Sequence, residues 1–322
     1  MKAIIFPAYG SPDVLELQDI EQPVPKDNEV LIKIQSAACN AADWHRMRAD
    51  PFLVRLSDGL RRPKNPMLGA DVLGTIEAVG DRVTQFQSGD LVYGEIGNGA
   101  FAEYATAAEH LLARAPNNLG TDAAAIPLSG MTALQGIRDS GQVIAGERVL
   151  INGASGGVGT FAVQIAKAFG AEVTAVCSGS NADMVRRIGA DHVIDYTQED
   201  FTHSTQRYDL VFDIAANRRV SDIKRILTPR GRALLCGFST LPHMIGFALK
   251  GALASKKNGQ RIGVMPMAQA KQADLVTLCE MAEAGSIKPE IDRCYPMEET
   301  ADAIRYLETK RVRGKLVIKI SE

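Results

Sequence analysis

Val149-Leu150-Ile151-Asn152-Gly153-Ala154-Ser155-Gly156-Gly157-Val158-Gly159, followed by Phe161-Ala162-Val163-Gln164-Ile165-Ala166-Lys167, is the stretch on which the reading of this chain turns. Its opening residues form an apolar strand of the kind buried in a parallel sheet, its glycines a turn, and the residues after Gly159 follow a helical pattern. Aligned on the dinucleotide fingerprint, Ala154 takes the first glycine position, Gly156 the second and Gly159 the third. A small residue permits the tight turn, a bare second position lets backbone approach a pyrophosphate, and a bare third position lets the helix pack on the strand. The pyrophosphate would rest on free N–H groups at the positive end of the helix. A glycine-rich turn alone can be plain loop chemistry. Here strand, turn, helix and a second strand are all in place, so Ala154, Ser155, Gly156, Gly157, Val158 and Gly159 are expected to cradle a dinucleotide.

About 20 residues beyond such a turn, an NAD-preferring site presents a carboxylate to the ribose 2′-hydroxyl. This second strand ends Ala175-Val176-Cys177-Ser178-Gly179-Ser180-Asn181, with no carboxylate at the tip. Ser178, Ser180, Asn181 and the nearby Arg186 and Arg187 would tolerate a 2′-phosphate, so NADPH is expected, with NADH possible because Asp183 stands close by. The two arginines serve equally well as a solvated helix face.

Outward from the turn, the chain alternates helix and strand: a helix over 124–140, strand 148–152, helix 157–169, strand 172–177, helix 182–188, strands 192–194 and 210–214, helix 221–227 and strand 232–236. That alternation predicts a doubly wound parallel sheet. Residues 1 to about 124 instead show short alternating segments such as Glu29-Val30-Leu31-Ile32-Lys33-Ile34, bounded by Gly, Pro and Asp, which predict a small β-rich barrel or sandwich. After about Gly263 come helices over 270–284 and 298–309 and a final strand, Gly314 to Ile320. That strand needs a sheet partner, and the β-rich segment is a plausible host, which makes the α/β unit an insertion. The apolar residues between Phe238 and Met267, including Met244, Phe247 and Met265, read as a lid or as packing.

With 322 residues, 46% hydrophobic and 23% charged, the chain is long enough for two cores and is neither disordered nor fibrous. Its formal charge of -2 gives no general attraction to nucleic acid or an anionic membrane. No apolar run approaches the roughly 18 residues of a membrane span, and the N-terminus lacks a signal-peptide pattern, so a cytoplasmic protein is expected. The five cysteines form no C-x-x-C pair and read as buried free thiols.

The glycine turn, together with Asn65-Pro66-Met67-Leu68-Gly69-Ala70-Asp71-Val72-Leu73-Gly74-Thr75-Ile76-Glu77-Ala78-Val79-Gly80, Gly89-Asp90-Leu91-Val92-Tyr93-Gly94 and Arg313-Gly314-Lys315, closely resembles the medium-chain dehydrogenase/reductase superfamily over essentially the whole chain. Within it the chain is similar to the zinc-independent quinone oxidoreductase branch, NADPH-dependent reductases of quinones and α,β-unsaturated carbonyls. The resemblance implies an α/β protein with a GroES-like β-rich catalytic domain (1–124 and 264–322), a Rossmann domain with a doubly wound parallel sheet (125–263), and a homodimer. Zinc-dependent relatives carry Cys, then Gly-His-Glu, then a third ligand, because catalytic zinc needs three N or S donors. This chain has Asn40, Gly69-Ala70-Asp71 and Pro127-Leu128-Ser129-Gly130 in that frame, so no metal is expected. Hydride addition to an enone or quinone needs little polarisation of the substrate oxygen, which takes up charge by conjugation.

The same resemblance puts Asn40 near the nicotinamide ribose and the reacting carbonyl, Thr132 at the nicotinamide end, and Tyr196 near the 2′-phosphate and adenosine. It also puts Ala215, Gly237 and Phe238 along the cofactor and Arg313 near the cleft. His45 stands where many relatives have a pocket tyrosine; taken alone it reads as a surface or satisfied core histidine more readily than as a proton donor. Trp44 reads as packing or substrate stacking, and the basic residues Arg46 to Lys64 as a solvated rim or an attractor of anionic substrate. Two other functions stay open: a metal-free NADP-dependent carbonyl or alcohol dehydrogenase, and a nucleotide-binding redox sensor or RNA-associated factor without turnover.

Overall fold

A computed structural model describes residues 1–237 and 240–321, and for Leu241, Lys256, Lys257 and Asn258 the backbone alone. The chain divides into two compact units, Met1–Met131 with Gln269–Glu322, and Thr132–Ala268.

The first unit begins with strands β1 (Lys2–Ile5), β2 (Glu16–Asp19), β3 (Glu29–Cys39), β4 (Asp71–Val79), β5 (Leu91–Glu95), β6 (Tyr104–Ala108) and β7 (Leu112–Arg114), and short helices α1 (Ala41–Arg48) and α2 (Val54–Asp58). β3 is the long central strand, antiparallel to both β4 and β6. Val30, Ile32 and Ile34 alternate into the core as the sequence pattern requires. Register shifts at Leu31/Ile32 and Ile34/Ser36 then interrupt the alternation, and Ala37, Ala38 and Cys39 are all buried. This brings the end of β3 and the start of α1 into the interior.

Where a single helix over 124–140 was expected, three pieces occur: a 3₁₀ turn at Gly120–Ala125, α3 (Pro127–Leu134) and a π-helical turn at Gln135–Ser140. Pro127 has no N–H to give to a preceding turn, so the α-helix starts there. At the far end Gly141 N donates to Gly136 O at 2.8 Å, the i→i−5 bond that widens the last turn.

The second unit contains β8 (Arg148–Asn152), α4 (Gly157–Ala168), β9 (Glu172–Cys177), α5 (Ala182–Arg187), β10 (His192–Asp195), β11 (Tyr208–Asp213), α6 (Val220–Ile226), β12 (Leu227–Leu235), α7 (Leu241–Asn258) and β13 (Arg261–Val264). The sheet order is β10-β9-β8-β11-β12-β13, and every pairing is parallel. The order reverses between β8 and β11, and ligands of such sheets bind at the carboxyl ends of the strands flanking that point. Its core gathers Leu150, Val176, Tyr208, Val211, Ile223 and Ile262. The segment after β12 forms the 18-residue α7 and edge strand β13; Phe247 and Met265 are buried while Met267 is 92% exposed.

The chain then returns to the first unit with α8 (Gln272–Glu283), β14 (Ile291–Pro296), α9 (Thr300–Glu308) and β15 (Lys315–Lys319). The final strand pairs antiparallel with β3, as its need for a host required, and parallel with β14. Among the described residues no helix is long and apolar enough to cross a membrane.

Candidate functional site

The glycine turn joins β8 to α4, a helix whose N-cap is Gly156 and which receives no side-chain cap. Its first amide groups therefore remain available to a ligand. A Cβ built on Gly156 would meet only Gly153 O, at 3.6 Å, so the space beside it is open. A Cβ on Gly159 would lie 2.1 Å from Gly153 O and 2.8 Å from the Ala154 backbone. The two glycines thus differ as the fingerprint demands: one leaves room for a phosphate, the other lets the helix touch the turn. The residues fit a dinucleotide.

Of the other expected residues, Asn181 and Ala215 stand against that turn. Asn181 Nδ2 donates to Ser155 Oγ at 3.1 Å, tying the tip of β9 to the turn, while its buried Oδ1 has no partner. Ser178 and Ser180 share a hydroxyl contact of 3.1 Å. Tyr196, 55% exposed, donates its N–H to Cys177 O at 3.1 Å. Ala215 N bonds to Asn152 O at 3.2 Å, and Gly237 packs against Ile214. Phe238 lies outside the described residues. Arg186 is paired with Asp183 at 3.1 Å, both well exposed, which is the solvated-face arrangement. Thr132 is half-buried on α3.

Two carboxylates here were missed from sequence. Asp213, at the end of β11, accepts from Asn152 Nδ2 at 2.7 Å and Ala216 N at 3.0 Å, while its Oδ2 is buried without a partner; burial raises its pKa. Asp195, at the end of β10, accepts from Thr197 N and Oγ1 at 2.9 and 2.8 Å. The sequence signal for both is an acid directly after an apolar run, Leu210-Val211-Phe212 or Val193-Ile194.

In the first unit, Asn40 belongs to a buried polar cluster. Lys315 Nζ donates to Asn40 Oδ1, to Ser129 Oγ at 3.2 Å and to Asp71 Oδ2 at 3.3 Å. Asn40 Nδ2 donates to Asp71 Oδ2 at 2.9 Å and Ala38 O at 3.2 Å, and Leu128 N to Asp71 Oδ1 at 2.9 Å. An ammonium only donates and an ionised carboxylate only accepts, so the amide's orientation is fixed. Both of its hydrogens are engaged inside the cluster. Asp43 adds a second buried carboxylate, accepting from Asn40 N at 2.7 Å and Gly69 N at 3.0 Å. Burial pushes the Asp43 carboxyl up to about 6 and raises Asp71 against the pull of Lys315. Burial, helped by Asp71, takes Glu95 to about 7.

This donor set does not fit zinc. The frame offers an amide, a carboxylate, a hydroxyl and the methyl of Ala70 in place of thiolate and imidazole, with an ammonium already in its midst.

His45 lines a solvent-open cavity of about 410 Å³ with Ala42, Arg46, Val54, Ser57 and Asp58. Its Nδ1 lies 2.6 Å from Asp50 O, which as a carbonyl oxygen places the hydrogen on Nδ1, and burial lowers its pKa. Its ring stacks on Trp44 at 3.6 Å, and Trp44 packs against the core. Arg46 is a fastener, bonded twice to Asp58 at 3.0 and 2.9 Å, and Arg48 pairs with Glu308; neither is left to attract an anionic substrate. Arg313 is exposed, its N–H held by Asp292 at 3.0 Å.

Residues 26–117 match the family described as "Alcohol dehydrogenase GroES-like domain", and residues 188–318 that described as "Zinc-binding dehydrogenase". The chain is 34% identical to a 2-methylene-furan-3-one reductase of Solanum lycopersicum, over 99% of this chain and 79% of that protein. It is 32% identical to the chloroplastic NADPH-dependent alkenal/one oxidoreductase of Arabidopsis thaliana, over 99% of this chain and 79% of that one. Among solved structures, the quinone oxidoreductase from Coxiella burnetii superposes with a TM-score of 0.87 at 30% identity, covering 100% of this chain and 99% of that one.

Proposed function

Because the chain belongs to the medium-chain dehydrogenase/reductase family, in its zinc-independent, quinone oxidoreductase-like branch, we propose that it is a reductase carrying hydride from NADPH to a quinone or an α,β-unsaturated carbonyl. The observation that carries this reading is the open space at Gly156 beside the uncapped start of α4, combined with a cluster at Asn40 whose chemistry rejects zinc. The reduced dinucleotide, when bound, supplies the hydride at nicotinamide C4.

The chain's own residues bind and orient. Ala154 to Gly159 and the N–H groups of α4 hold the pyrophosphate. Ser178, Ser180, Asn181 and Tyr196 serve the adenosine ribose, Thr132 lines the nicotinamide end, and Ala215 and Gly237 border the cofactor. Asn40, fixed by Lys315 and Asp71, serves as a rigid wall rather than a donor, since its two amide hydrogens are spent. His45, neutral near pH 7 with its hydrogen directed at Asp50 O, leaves Nε2 without a proton to give, so the substrate oxygen takes its proton from water. The resemblance implies a homodimer, and β13, at one edge of the second unit's sheet, is a suitable seam for it.

A panel of quinones, enones, aldehydes and simple alcohols, followed at the nicotinamide absorbance with NADPH and NADH in parallel, tests the proposal. Oxidation of NADPH by quinones or enones, unaffected by a chelator, is expected. Oxidation of simple alcohols would point to a metal-free dehydrogenase, and dinucleotide binding without turnover on any substrate to a sensor.

A further inference from the structure

The carboxylate that the tip of β9 lacks in sequence is supplied in space by the neighbouring strand. β9 and β10 pair in parallel with Cys177 opposite Asp195, so Asp195 ends its strand alongside Ser178-Gly179. A Cβ at Gly179 would stand 2.4 Å from Asp195 Oδ2, so the carboxylate lies directly against the backbone there. Thr197 fastens Oδ1 through its N–H and hydroxyl. These bonds hold the carboxyl below its usual range, so it is ionised at neutral pH.

The groups around it are short of free positive charge. Asp183 occupies Arg186, the hydroxyls of Ser178 and Ser180 face each other, and Asn181 Oδ1 is a buried acceptor without a donor. Acceptors suit ribose hydroxyls, which donate. A 2′-phosphate carries nearly two negative charges and no strong donor at neutral pH.

We propose that Asp195 is a specificity-determining residue at the adenosine-ribose end of the dinucleotide site, accepting from ribose hydroxyls and repelling a 2′-phosphate, so that NADH competes with NADPH. The inference rests on the dinucleotide reading of the glycine turn and deepens it by naming the residue that limits the preference for NADPH.

The test is titration of the full-length protein with NADPH and with NADH, read by nicotinamide fluorescence at low and high salt. In the parent, the affinity ratio of NADPH to NADH should rise with salt, because screening weakens the repulsion. Asp195→Asn keeps an oxygen for Thr197 while removing the charge. It should tighten NADPH about five- to tenfold at low salt, the effect of one charge facing a phosphate across a few ångströms of water-like medium, and weaken NADH about two- to fivefold, because a ribose hydroxyl loses a charged acceptor. High salt should shrink the gain, and Asp195→Glu, which keeps the charge, should hold the parent's ratio to within about twofold. A parent ratio that falls with salt, or an Asp195→Asn ratio equal to the parent's, overturns the proposal while leaving the dinucleotide site standing. Failure of the parent to bind either nucleotide overturns the dinucleotide reading and this one with it.

Discussion

Replacing Gly156 and Gly159 with alanine, one at a time, separates the two jobs assigned to the glycine turn. At position 159 the new methyl would lie 2.1 Å from Gly153 O, against the 3.4–4 Å of ordinary contact, and 2.8 Å from the Ala154 backbone. The obstacles are backbone atoms, so relief requires α4 to shift by more than an ångström relative to the turn. Overpacking of that kind costs about 1–3 kcal/mol, and the upper half of the range is expected where no side chain can swing away. At position 156 the nearest atom is 3.6 Å away and the backbone, at φ -86°, suits alanine. The loss there is the weaker N-cap, about 0.5–1 kcal/mol. Binding should respond in the opposite order, because the Gly156→Ala methyl fills the approach to the pyrophosphate and should weaken NADPH by at least about tenfold, or about 1.4 kcal/mol. Urea unfolding followed by circular dichroism gives the first quantity and fluorescence titration the second. Gly156→Ala that unfolds as early as Gly159→Ala and binds NADPH like the parent would refute the assignment of the second glycine to the phosphate.

Lys315→Met leaves Asp71 buried with its cationic partner gone and should cost about 3–5 kcal/mol in urea unfolding. Adding Asp71→Asn should recover part of that loss, and a double variant less stable than Lys315→Met alone would contradict the pairing. Glu95 holds its proton up to about pH 7 in the folded chain but only to about 4.3 when unfolded, so between those values the folded state binds more protons and stability falls as pH rises. Glu95→Gln should therefore be neutral near pH 4 and gain about 1–2 kcal/mol at pH 8, after discount for partial exposure; stability curves that run parallel from pH 4 to 8 would show that the Glu95 carboxyl is unperturbed.

What could be read from sequence and what could not divide along physical lines. The glycine turn, the alternation after it and the need of the final strand for a host are all local patterns, carried within a turn or two of chain, and they locate the phosphate cradle. The buried cluster is not local: Asn40 and Asp71 are 31 positions apart, and Lys315 is 244 from Asp71 and 275 from Asn40. Each belongs to a different strand or strand end, and only the pairing of β3 with β4 and of β15 with β3 brings them together. Asp195 escaped notice for the same reason, because the search for an acidic residue followed the chain past β9 while the carboxylate arrives sideways from β10. α7 was missed because Gly246 and Gly251 interrupt its apolar spacing, although Gly251 is needed where the helix backs onto Ile262 O, 2.6 Å from where a Cβ would stand.

A usable signal nonetheless exists in these cases. Asp71, Asp213 and Lys315 each stand at a strand end directly beside an apolar run, Val72-Leu73, Leu210-Val211-Phe212 and Leu316-Val317-Ile318, and all three are buried. A buried charge must find a partner or change its protonation. Lys315 and Asp71 find each other, so that the ammonium offsets part of the upward push of burial on Asp71, whereas the hydrogen bonds that Asp213 accepts come from the neutral amides of Asn152 and Ala216. Strand-end charges of opposite sign in a β-rich segment are thus candidates for one cluster even when hundreds of residues separate them. One with no opposite partner, at the carboxyl end of a parallel strand, marks the rim where a ligand of the sheet binds.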